Sequence, residues 1–88
     1  MLDIGYLVKS LAGRDKGTIY VIVDQQKEYV YLSDGKYHPL QKPKKKNKKH
    51  VQFIHYQDEN VTKKLNNQEV VREEEIKRLI KQYDLDRR

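Results

Sequence analysis

Cysteine and tryptophan are absent from the 88 residues, phenylalanine occurs once and proline twice. Without cysteine there is no disulfide, no thiolate catalysis and no cysteine-ligated zinc. No stretch approaches the roughly 20 apolar residues of a membrane span, and the N-terminus has no long apolar run. A chain without a signal peptide, located in the cytoplasm, is expected. His38, His50 and His55 are not spaced like a metal site, have no paired carboxylate beside them, and no nucleophile adjoins a base. No enzyme activity, metal, cofactor or small-molecule substrate is therefore expected.

Basic charge is what the chain has in excess. The net charge is +6, and it is not spread evenly. Residues 1–56 hold 11 Lys/Arg against 5 Asp/Glu, whereas residues 57–88 hold 8 of each. The densest stretch is Lys42-Pro43-Lys44-Lys45-Lys46-Asn47-Lys48-Lys49-His50, six lysines in nine residues with no acid. Such a run repels itself and is best satisfied by a dense anion. Nucleic acid is the expected partner, since its phosphates match a row of cationic side chains. Pro39 and Pro43 disfavour helix, so the run reads as an extended loop. The lysines would contact phosphates, while Asn47 and His50 would hydrogen-bond ribose or base edges. A solvated loop that only aids solubility is the alternative.

The first half reads as β. Ile4–Ser10 is a short apolar run, and Thr18–Asp24 is rich in β-branched and aromatic residues. Glu28–Ser33 alternates, with Val30 and Leu32 on one face and Tyr29 and Tyr31 on the other. His50–Tyr56 is a fourth candidate strand. Gly13 and Gly17 bracket a charged turn, Gln25-Gln26-Lys27 is a short polar hairpin loop, and Asp34-Gly35 signals a two-residue hairpin. Short strands joined by tight turns argue for a small barrel. The period then changes. Asp58 is placed to cap a helix over Glu59–Leu65, with Asn66-Asn67 as a left-handed stop. Glu73, Glu74 and Glu75 suit a helix first turn. Ile76, Leu79, Ile80 and Tyr83 form an apolar stripe expected to dock on the barrel. One continuous helix is the alternative. The reading is a barrel over residues 1–57 and a helical segment over 58–88.

The segment Gly5–Tyr31 resembles the KOW motif, with Gly17 as its key glycine. The run Val8-Lys9-Ser10-Leu11-Ala12-Gly13-Arg14-Asp15-Lys16-Gly17 resembles the opening of ribosomal KOW proteins of the fourteen-e type and their small bacterial relatives. Asp34-Gly35 and the later pattern Pro39-Leu40, Pro43-Lys44, Lys46-Asn47 and His50 are similar to that group in order and spacing. The resemblance covers roughly residues 3–56. It implies an SH3-like β-barrel that binds RNA, most often ribosomal RNA, with ribosomal proteins as further partners. Where some members of the group carry a larger C-terminal extension, this chain has only residues 57–88.

The expected contacts are Lys42, Lys44, Lys45, Lys46, Asn47, Lys48, Lys49 and His50, with Arg14 and Lys16 projecting from the Gly13–Gly17 loop. Gly13, Gly17 and Gly35 serve the turns. There are seven tyrosines, and most should cover the barrel wall with their hydroxyls in water. Tyr37, next to the basic run, is the candidate for stacking on a base. Arg87 and Arg88 would add a weak contact or fray. The alternative function is an SH3-like protein-interaction module of the translation or transcription machinery.

Overall fold

The computed structural model describes residues 3–87. Five antiparallel strands form one sheet: β1 (Leu7–Ser10), β2 (Ile19–Gln25), β3 (Tyr29–Ser33), β4 (Lys44–Asn47) and β5 (Val51–Ile54). Their order is β4-β3-β2-β1-β5. Helices α1 (Glu59–Asn66) and α2 (Glu73–Asp86) follow. Neither helix is long and apolar enough to cross a membrane.

The sheet is strongly curled. In a flat five-stranded sheet the edge strands would lie about 19 Å apart, four spacings of ~4.8 Å. Here the edges β4 and β5 are joined by a single 3-10 turn, Lys48–His50. Four Cα steps from Asn47 to Val51 reach at most about 14 Å, and a 3-10 turn rises only ~2 Å per residue. The sheet must therefore bend to bring its edges together. A register shift between Ile22 and Asp24, leaving Val23 unpaired, contributes to that bend in β2.

Alternation along the strands supplies two cores, one on each face. Val8, Tyr20, Ile22, Val30, Leu32 and Val51 fill the concave face. Leu7 and Val21 point the other way and are covered by Val61 of α1 and Ile76 and Leu79 of α2. The apolar stripe of α2 thus buries against the sheet, with Ile80 and Tyr83 partly covered. Removing each such side chain from water contributes about 1.5–3 kcal/mol. Asp58 Oδ1 accepts hydrogen bonds from the Asn60 and Val61 amides and starts α1 as expected. In α2, the Glu75 carboxylate accepts from the Arg72 amide at 2.9 Å.

Three local expectations are corrected. Lys44–Asn47 is strand β4, not loop: it pairs with Tyr29–Leu32 of β3. No apolar alternation announces it, because the residues on its inward face are lysines. Asp34-Gly35 does not close a two-residue hairpin, since β4 starts only at Lys44. Asp34 Oδ1 instead accepts from the Lys36 and His38 amides, building a wider turn. Gly35 has φ +75°, and an added Cβ would lie 2.7 Å from the Glu73 carbonyl oxygen. Its missing side chain is what lets α2 approach. The left-handed residue after α1 is Gln68, at φ 58°, while Asn67 has φ −93°. The helices are separate, so the single continuous helix does not form.

Candidate nucleic-acid interface

The β1–β2 loop, residues 11–18, is held by the strands that bear it. The Ser10 amide donates to the Thr18 carbonyl, the Gly17 amide to the Ser10 carbonyl, and the Thr18 amide to the Asp15 carbonyl. Gly17 sits at φ +92° with nothing within 4 Å of an added Cβ, so its role is conformational freedom rather than space. This geometry turns the Asp15 side chain back under the loop.

Asp15 is the centre of the site. Its Oδ1 accepts from Ser10 Oγ at 2.9 Å and Lys46 Nζ at 2.9 Å. Its Oδ2 accepts from Tyr20 OH at 2.8 Å and lies 3.0 Å from Lys44 Nζ. The Asp15 side chain is 13% exposed and that of Lys46 only 10%. Burial alone would raise the Asp15 pKa, but hydrogen bonds from Lys46, Tyr20, Lys44 and Ser10 outweigh it and hold the carboxyl far below the usual range. Burial and then the neighbouring carboxylate push the Tyr20 phenol well above its ordinary value, keeping it a donor.

Period two explains how β4 is divided. Lys44 and Lys46 pair with Leu32 and Val30, share their face, and reach Asp15. Lys45 and Asn47 point the other way. Lys45 Nζ lies 4.3 Å from the centre of the Tyr29 ring. Asn47 Oδ1 accepts from the Lys49 amide and caps the 3-10 turn. The side-chain oxygen expected to reach ribose is thus engaged by backbone. Lysines 44 and 46 likewise have a counter-charge, which the reading of six uncompensated lysines did not foresee.

Two links join the basic elements. Lys46 Nζ donates to the Ala12 carbonyl at 2.9 Å, and the Leu11 amide donates to the His50 carbonyl at 2.9 Å. The loop carrying Arg14 and Lys16 is thereby fixed beside the turn carrying Lys48, Lys49 and His50. Arg14, Lys16, Lys42, Lys45, Lys49 and His50 are exposed, and Lys48 is half-buried. Tyr37 does not join this surface. It lines a groove with Ile19, Lys77 and Ile80, and none of residues 42–50 lines that groove. Arg87 pairs with Asp84, and Arg88 lies outside the described residues.

The histidines are dispersed. His38 lies edge-on to Tyr20 and His55 meets Tyr6. Among the described residues no group of His, Asp or Glu is placed to hold a metal ion.

Sequence reasoning missed Asp15 as an organiser, along with Ser10 and Tyr20. The available signal was its isolation: it is the one acid between Asp3 and Asp24. In comparisons with known proteins, no family model matches the chain and no curated protein matches it.

Proposed function

We propose that this chain is an RNA-binding module with an SH3-like barrel of the KOW type, recognising structured RNA, ribosomal RNA in the first place. The observation that carries the reading is the pair of links from Lys46 to Ala12 and from Leu11 to His50. They hold two cationic segments, distant in sequence, as one surface. Arg14, Lys16, Lys45, Lys48 and Lys49 neutralise phosphates on it. Lys44 and Lys46 shape the surface through Asp15 and add one net positive charge behind it. With backbone phosphates as the main contacts, recognition follows RNA shape more than sequence.

Neutralising four or five phosphates gives a log–log dependence of affinity on salt with a slope of about −4 on a duplex-like site. The test is cross-linking to RNA in cells, comparing wild type with a Lys45→Gln, Lys48→Gln, Lys49→Gln variant that spares Asp15's partners. One contiguous ribosomal RNA region, lost in the variant, is expected. A folded wild-type protein that recovers no RNA above background overturns the proposal in favour of a protein-interaction module.

A further inference from the structure

We propose that the groove between the β3–β4 connection and α2 binds one unpaired nucleotide, its base stacked on Tyr37 and its phosphate held by Lys77 and Lys81. This rests on the RNA-binding reading above and adds a second, separate contact to it.

Tyr37 is 76% exposed and is the one aromatic among the exposed large apolar side chains of the described residues. Its backbone is nonetheless held in place, and Lys36 Nζ lies 5.0 Å from the centre of its ring. Asp34 Oδ1 fixes the amides on either side of it, those of Lys36 and His38, at 2.9 and 2.8 Å. Gly35 seats the same turn against the Glu73 carbonyl. The backbone that bears the ring is therefore fixed beside α2, and only the side-chain torsions of Tyr37 remain to be ordered on stacking.

The rest of the groove suits a nucleotide. Ile19 and Ile80 supply an apolar floor, and Lys36, Lys77 and Lys81 stand around it. Lys77 and Lys81 are four residues apart on α2 and share one face. Two carboxylates also line the groove, but both are engaged: Asp34 by the two amides, and Asp84 by Arg87 at 3.1 Å. Among the described residues none of the three lysines has an ion-pair partner. The cavity is about 280 Å³, just below the ~300–1,000 Å³ that hold a drug-sized ligand. That suits a single base. A base paired inside a duplex has no free face to offer the ring, so the groove selects an unpaired one.

The full chain is titrated into a blunt RNA duplex and into the same duplex with a single-stranded tail carrying 2-aminopurine. Wild type should quench the tail fluorescence. Tyr37→Ala should abolish the quench and lose about tenfold in affinity for the tailed RNA, with less than about a twofold change on the blunt duplex. Tyr37→Phe should keep both properties. A Lys77→Gln, Lys81→Gln variant should flatten the salt slope on the tailed RNA alone, by about 0.7 per lost phosphate contact. If Tyr37→Ala matches wild type on the tailed RNA, the groove proposal falls, and the basic-surface reading stands provided the Lys45, Lys48, Lys49 variant weakens on both probes. If wild type binds neither RNA, both fall.

Discussion

Lys46 Nζ lies 2.9 Å from Asp15 Oδ1, across 31 residues of chain, with both side chains almost wholly covered. This pair welds the β1–β2 loop to the edge strand β4. It gives the central lysine of the basic run a structural task while its neighbour Lys45 faces solvent. Position in the pleat, rather than residue type, separates the two.

Removing the carboxylate charge leaves two ammonium groups facing a neutral amide. Asp15→Asn should lower stability by about 2–4 kcal/mol, read as a shift in the urea midpoint. A change below about 0.5 kcal/mol would mean that the cluster is not stabilising.

The same carboxyl contributes to the acid limb of the stability curve, together with the lowered carboxyls of Glu75 and Asp86. Its folded pKa is depressed below the ordinary 3.8, so the unfolded chain binds the proton more readily. The contribution is fully present above about pH 5 and is lost progressively as pH falls through the unfolded value toward the folded one. Stability measured between about pH 5 and pH 2 should therefore fall in wild type, and fall less steeply in Asp15→Asn.

Lys46→Gln and Lys49→Gln should separate stability from binding. Lys46→Gln breaks the buried pair and should cost about 2–4 kcal/mol. Lys49→Gln, on an exposed turn, should change stability by less than about 0.5 kcal/mol while weakening RNA binding and reducing the salt slope by about 0.9 on a duplex-like site. Equal effects of the two on stability would contradict the division of β4.

Glycines 35 and 17 should respond unequally to alanine. At Gly35 the new Cβ meets the Glu73 carbonyl at 2.7 Å as well as a positive φ, and the loss should be about 2–4 kcal/mol. At Gly17 only the backbone conformation opposes the change, so about 1–2 kcal/mol is expected. Thermal unfolding of both variants decides the order.

Ile76 is fully buried where α2 meets the sheet. Ile76→Ala should cost about 2–5 kcal/mol, whereas Val70→Ala, at an exposed site, should be close to neutral in the same denaturation experiment. A small effect of Ile76→Ala would mean that α2 is not part of the cooperative fold.

Much of this was legible in residue order because it depends on local periodicity. Alternation of Val30 and Leu32 with tyrosines marked β3, Asp58 marked the start of α1, and the 3-4 spacing of Ile76, Leu79, Ile80 and Tyr83 marked the buried stripe of α2. Those signals depend on neighbours a few residues away. The strand character of Lys44–Asn47 was hidden because charge fills the positions that apolar residues usually take, and its justification, Asp15, lies about 30 residues earlier. The Asp34-Gly35 signal misled for the same reason. A glycine required by the approach of a distant helix looks, in sequence, like one required by a hairpin. Composition and order set the charge excess, the four strands with apolar alternation and the helices. Tertiary packing selected which lysines face solvent and which face a carboxylate, and it moved Tyr37 from the basic run to the side of α2, because contacts between distant segments have no local signature.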